Sequence, residues 1–343
     1  GGEIQMKKFL SLVLALVMTM SLVTVSAGAK DFTDDSEITY KEAVDVISAL
    51  GVVDGYSDGD FRPDDVLTRG AAAKIICNLI LGPTTASALS AGTAPFKDVP
   101  VTNTFAGYIT YCSQQGIING YADGTFRPTA TLSGNAFMKM LLGALGYDSS
   151  IEGYTGANWQ VSVIKQASGI GLDDGNDEFV GSQAVTRQEA ALYAFNTLVG
   201  VAQVNYNSVF GEYYIGTSAL TAVDNDVDPT DTDSAYRYTL GYQTFGLAKG
   251  NRTTIDNWGR PGYTWTATKN SLKMPTVATV EEAYLAQYTT AVTECDVADD
   301  TNRPGDTTYA LYVNGNTVRS NYMVNALDTV TKIGAQGRLT EVY

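Results

Sequence analysis

Asp54, Asp58 and Asp60 crowd around the stretch GYSDGDFRP (55–63), which returns as GYADGTFRP (120–128), an offset of 120 − 55 = 65 residues. Clustered carboxylates suggest calcium, but the spacing is wrong. A helix–loop–helix calcium site needs an acidic or amide ligand at its third position and a glutamate at its twelfth, where this chain has Tyr56 and Asp65. The acidic run DNDVDPTDTD (224–233) fails in the same way, with Pro229 at the required glycine and Ala235 at the twelfth position, and reads as a solvated loop. The chain contains no histidine, which removes the commonest metal ligand and general base together. Its cysteines, Cys77, Cys112 and Cys295, are odd in number and widely spaced, so neither a disulfide framework nor a zinc site is indicated; Cys77 and Cys112 read as small core residues. No nucleophile with a partner base, phosphate loop or carboxylate pair is recognisable. No catalytic residue, metal site or cofactor is therefore expected.

At 343 residues the chain exceeds one core, and at least two domains are expected. Lys7 and Lys8 precede an apolar run at 9–25, and Ala27, Gly28 and Ala29 supply small residues for a signal-peptidase site. Residues 1–29 therefore read as upstream residues plus a signal peptide, with an uncleaved membrane anchor as the rival reading. The five residues before Met6 read as upstream DNA translated in frame, and the strand-like ending GRLTEVY suggests a truncated chain. Removing Glu3, Lys7 and Lys8 leaves 22 − 2 = 20 basic and 37 − 1 = 36 acidic residues, a net charge of 20 − 36 = −16. Such a surface disfavours nucleic acid and anionic lipid as partners.

Helical periodicity surrounds the repeated loops. Ala43, Val44, Ile47 and Leu50 precede the first copy, and Ala72, Ile75, Ile76, Leu79 and Ile80 follow it. In the second copy a helix starts near Phe105, and Phe137, Met140, Leu141 and Leu145 share a face of the next. A weaker third copy runs through 158–200, with Phe179 aligned to Phe61 and Phe126. Three tandem helix–loop–helix units result. Thr68, Ser133 and Thr186 stand at N-caps; only Thr186 and Glu189 make a full capping box, so the other two helices are expected to present freer backbone N–H donors. Within the loops, Tyr56, Phe61, Tyr121 and Phe126 are expected to tuck under the helices, and Pro63 and Pro128 to keep the chain extended. Beyond Gly200 alternating Tyr236, Tyr238, Leu240 and Tyr242, then Tyr263, Trp265 and Ala267, predict strands, Asn314-Gly315 a hairpin, and Thr279 with Glu282 a short helix over 279–288.

The loops, FKDV at 96–99 and TRQE at 186–189 resemble the S-layer homology (SLH) family. The resemblance covers about 31–200 and implies repeats at 31–82, 96–147 and 151–200. These would form an all-α pseudo-threefold bundle with grooves between neighbours, followed by a β-rich (α+β) domain at 201–343. It further implies non-covalent anchoring of an exported protein to secondary cell wall polysaccharide, commonly pyruvylated, on a Gram-positive-type surface, with other S-layer proteins or its own copies as further partners. The family's arginine falls on Arg69 and Arg187, and Gly134 replaces it in the second unit. A guanidinium fork suits a pyruvyl carboxylate, so the resemblance marks Arg69 and Arg187 as ligand contacts, with Thr68, Thr186, Gly55, Tyr56, Gly120, Tyr121, Arg62 and Arg127 around them. Trp159 and Phe105 are core residues or groove walls for sugar stacking. An alternative reading is an SLH-anchored glycan hydrolase whose catalytic part lies in or beyond 201–343.

Overall fold

The computed structural model describes residues 32–219, 227–230, 235–255, 261–269, 274–280, 286–288, 312–313, 316–317, 336 and 340–342. The expected signal peptide within residues 1–29, most of the acidic run at 224–233, and Cys295 lie outside these residues. Two compact units divide the chain, Gly1–Leu247 with Ala267–Val277, and Ala248–Thr266 with Ala278–Tyr343.

Six helices of nine residues or more occur among the described residues, all in the first unit. They are α1 (Lys41–Ala49), α2 (Arg69–Leu81), α3 (Ala106–Gln114), α4 (Gly134–Leu145), α5 (Trp159–Gly169) and α6 (Arg187–Val199). The predicted apolar faces are buried, except that Ile80 is half-exposed. Thr68 Oγ1 accepts from Ala71 N at 3.3 Å and Ser133 Oγ from Ala136 N at 3.4 Å, while Thr186 and Glu189 complete their reciprocal box. A hydroxyl cap of this kind contributes about 1 kcal/mol.

The helices pair across the repeats rather than within them: α2 packs on α3, α4 on α5, and α6 on α1, while α2, α4 and α6 also meet one another. Backbone hydrogen bonds follow the same circle. Leu67 N donates to Val185 O at 2.8 Å, Val185 N to Leu132 O at 3.0 Å, and Leu132 N to Leu67 O at 2.9 Å. The first two N–H groups of each second helix reach the next unit's loop. Arg69 and Gly70 donate to Ala130 and Pro128 carbonyls, Gly134 and Asn135 to Gln183 and Gly181, and Arg187 and Gln188 to Asp65 and Pro63. The expectation of freer N–H donors at α2 and α4 does not hold at these two positions, which are engaged alike in all three units, because a buried N–H without a partner costs about 1–3 kcal/mol. The capping glutamate of α6 serves a different donor, Thr186 N, at 2.7 Å.

Past Gly200 the chain stays with the helices as far as Leu247. Strands β1 (Asn205–Asn207), β2 (Glu212–Ile215) and β3 (Ser218–Ala219) form an antiparallel sheet. The predicted strand around Tyr236–Tyr242 is instead a 3-10 turn (Ala235–Tyr238) and a π turn (Gly241–Phe245). Docking decides this: Tyr236, Leu240 and Phe245 are buried, Thr244 Oγ1 donates to Ile80 O at 3.2 Å, and a Cβ on Gly241 would lie 2.6 Å from Leu198 O. Tertiary burial overrides a period-2 pattern carried by only four residues.

In the second unit β4 (Leu247–Lys249), β5 (Thr253–Thr254), β6 (Pro261–Ala267) and β7 (Val277–Val280) form one sheet, in which β6 pairs with β4, β5 and β7. Strand β8 (Ala286–Tyr288) pairs with the chain's last strand, and β9 (Tyr312–Val313) with β10 (Asn316–Thr317), leaving Asn314-Gly315 between them as the hairpin signal predicts. That last strand is β11 (Thr340–Val342). The helix expected over 279–288 is replaced at both ends by β7 and β8, because the β-branched Val277, Thr279 and Val280 favour pairing with β6 over a cap.

Two Phe-x-Asp triplets hold the repeated loops in shape. Phe32 and Phe96 pack their rings on Phe61 and Phe126, with centroids 5.2 and 5.4 Å apart. Asp34 accepts from Phe61 N at 2.8 Å and Arg62 N at 2.6 Å, and Asp98 accepts from Phe126 N and Arg127 N, both at 2.7 Å. Arg62 and Arg127 consequently adopt left-handed backbone, φ 55° and 60°. This corrects the expectation of an extended residue before proline: two charge-assisted hydrogen bonds outweigh a cost of about 1–3 kcal/mol. Gly55 and Gly120 are required by the same packing, since a Cβ there would stand 2.5 and 2.4 Å from the Phe32 and Phe96 rings. Phe61 and Phe126 are buried as expected, but Tyr56 and Tyr121 stay exposed at 41%, held by cation contacts described below.

Burial raises the Asp34 and Asp98 carboxyls, and the two backbone N–H donors outweigh it, so both lie below 3.8. A carboxylate depressed by folding adds stability that is present above its unfolded pKa and lost as pH falls through the folded one. Asp98→Ala is expected to cost about 2 kcal/mol, measured as a lowered urea midpoint. The double variant Asp34→Ala/Asp98→Ala should lose less stability than wild type on acidification below pH 3.8; an equal loss would assign the acid sensitivity to other groups.

Candidate functional site

Arg69 and Arg187 are the first helical residues of α2 and α6, and each crosses a junction into the next unit's repeated loop. Arg69 Nε donates to Phe126 O at 2.8 Å and Nη2 to Asn119 O at 3.2 Å. Arg187 Nε donates to Phe61 O at 2.8 Å and Nη2 to Asp54 O at 2.9 Å. Their hydrogen bonds therefore go to carbonyls. Burial lowers both guanidinium pKa values, yet an arginine keeps its proton throughout the accessible range. The result is a half-buried cation whose charge no hydrogen-bonded carboxylate cancels, the arrangement an incoming anion would complete.

Tyr56 and Tyr121 gather two cations each. The Arg62 and Arg187 guanidinium carbons lie 4.1 and 4.8 Å from the Tyr56 ring centroid, and Arg127 and Arg69 lie 4.1 and 5.1 Å from that of Tyr121. Arg62 and Arg127 differ from the crossing arginines, because each is ion-paired within its own loop, Arg62 to Asp58 and Arg127 to Asp123. Thr68 and Thr186 spend their hydroxyls on helix caps.

Arg69, Tyr121, Ser133, Lys139 and Trp159 line a cleft of about 430 Å³ drawn from all three helical units. Trp159 begins α5 and is half-exposed. Lys139, on α4, has its Nζ 5.5 Å from the Trp159 ring centroid and donates to Tyr154 O at 2.6 Å, and burial lowers its pKa. Phe105 is placed differently: its ring occupies the space over Gly70, where a Cβ would approach it to 2.6 Å. Sequence reasoning missed Lys139. The signal was available, since Lys74 and Lys139 repeat at 139 − 74 = 65 residues, the offset of the loops themselves.

The clefts are unequal. Beside Arg187, Lys74 pairs with Asp54 at 3.5 Å, the residue whose carbonyl Arg187 also engages, whereas Asn119 replaces that aspartate near Lys139. At the third junction a space of about 20 Å³ is lined by Gly134, Phe179, Glu178 and Glu189. A Cβ on Gly134 would stand 2.8 Å from Phe179 Cε2, so the aromatic ring takes the volume an arginine stem would need. Gly134→Arg is accordingly expected to destabilise by roughly 1–3 kcal/mol instead of restoring a third cationic cleft. A thermal unfolding midpoint at or above that of wild type would remove this steric explanation.

The S-layer homology domain family matches residues 31–73 and 95–134. A surface layer protein of Brevibacillus choshinensis is 30% identical over 178 residues, 51% of this chain and 16% of that protein. The middle cell wall protein of Brevibacillus brevis is 26% identical over 171 residues, 49% of this chain and 16% of its own length. Cell surface glycoprotein 1 of Acetivibrio thermocellus is 34% identical over 111 residues, 31% of this chain and 5% of its length. The shared region is thus a small part of each relative. Residues 31–73 and 95–134 are thus similar to S-layer homology domains, and the helical part of the chain is similar to the corresponding part of these surface proteins.

Proposed function

We propose that this protein is exported and held non-covalently at the cell surface by its helical unit, which grips anionic secondary cell wall polysaccharide in the clefts between repeats. Residues 151–200 act as the third repeat and close the circle of helices. Arg69 and Arg187 supply guanidinium forks for a ligand carboxylate, of which a pyruvyl ketal is the example that fits best; Lys139 adds a second cation and Trp159 a face for a sugar ring. The observation that carries the reading is the pair of half-buried arginines bound to carbonyls across unit junctions. The surface and cell wall relatives support the location. Clefts differing in charge predict a stronger site at Arg69 and a weaker one at Arg187, acting together by avidity, which exceeds single-site affinity by roughly 10²–10⁴. The net negative charge opposes approach of an acidic polymer only at long range, because screening beyond about 8 Å leaves the local cations to decide.

Cosedimentation of the full chain with purified cell walls tests this. Arg69→Ala is expected to weaken binding by about 10- to 100-fold, Arg187→Ala by less, and the double variant to abolish sedimentation. Removing ketal-linked pyruvate from the walls should reduce wild type to the level of the double variant. Undiminished sedimentation of a folded double variant would overturn the assignment of the arginines. Turnover of wall or plant glycans that is lost on one Asp or Glu substitution would favour the hydrolase alternative.

A further inference from the structure

Cys77 on α2 and Cys112 on α3 are fully buried free thiols whose sulfur atoms lie 3.5 Å apart. The two helices come from successive repeats and pack on each other. Each thiol also addresses the opposite helix's main chain, Cys77 Sγ lying 3.5 Å from Tyr108 O and Cys112 Sγ 3.7 Å from Ala73 O. The placement is therefore reciprocal, and the sulfurs are separated from bonding distance by about 1.5 Å. Other roles for the pair fit poorly. No group of three His, Cys, Asp or Glu suited to a metal occurs among the described residues. Hydrogen bonding to Cys112, followed by burial, pushes the Cys77 thiol far above its usual value, which suppresses the thiolate a nucleophile needs.

We infer that Cys77 and Cys112 form a disulfide, a covalent strap between the second helix of the first repeat and the first helix of the second. The oxidant is a low-molecular-weight disulfide, RSSR. One cysteine thiolate attacks it and expels RS⁻; the other thiolate then attacks the mixed disulfide and expels the second RS⁻. The two cysteine protons end on two RSH, and the two cysteine sulfurs share the new bond. Because both thiols are buried, exchange occurs while the chain folds or while the α2–α3 contact is open, and the finished bond is shielded from reductant. It closes a loop of 112 − 77 = 35 residues, which restricts the unfolded chain. The inference stands apart from the wall-binding reading, since it rests on the sulfur geometry alone.

The test uses the full chain, reduced and unfolded, then refolded with oxidised glutathione, trapped by alkylation and mapped as peptides. A Cys77–Cys112 linked peptide is expected as the main product, in wild type and in Cys295→Ser alike, together with a thermal midpoint about 5–10 °C above the reduced protein. Dithiothreitol should reverse both only after unfolding. Complete alkylation of Cys77 and Cys112, or linkage chiefly through Cys295 or between chains, would overturn the proposal.

Discussion

A closed ring of three backbone hydrogen bonds, joining Leu67, Val185 and Leu132, governs this molecule. No repeat contains both partners of any bond in the ring, and none can satisfy the N-terminal donors of its own second helix without its neighbour's loop. Orphaned backbone groups in a buried setting are costly, so the three helical units are stable as a circle and incomplete as individuals. The same constraint explains why helices pair across repeats, with α6 returning to α1.

The side chains that cross the junctions inherit their positions from that ring. The first residue of each second helix lies against the next unit's loop, so whichever residue occupies it reaches across a junction. Arginine at two of these places yields a cation half withdrawn from water and satisfied by carbonyls, while glycine at the third yields room for Phe179. The loop supplies its own rigidity through Asp34 and Asp98, whose carboxylates draw Arg62 and Arg127 into left-handed backbone. Those two arginines, paired to Asp58 and Asp123, brace the loop, while Arg69 and Arg187 cross into it from the neighbouring repeat.

The third helix–loop–helix unit differs from the other two at several positions together. Glu189 completes a capping box where Ala71 and Ala136 stand in the other two, Leu192 takes the place of Lys74 and Lys139, and Asn176 bonds Tyr193 Oη at 2.7 Å. An added carboxylate, a missing lysine and an aromatic ring against Gly134 occur together at this junction. Beyond it, residues up to Leu247 continue the same packed body.

Much of this was legible in the sequence. Helical faces, N-caps and the doubled loop are local patterns, set by periodicity and by backbone chemistry within a few residues. The family resemblance drew attention to Arg69 and Arg187, which the structure places across junctions, and the Asn314-Gly315 hairpin was legible from its dipeptide. The tertiary structure decided what depends on partners far along the chain: Asp34 clamping Phe61 and Arg62, Lys139 meeting Trp159, and Cys77 lying beside Cys112. It also folded Tyr236–Tyr242 into turns and brought Thr279 into a strand. In each case the energy comes from hydrogen bonds and burial between residues distant in sequence, which no local window contains.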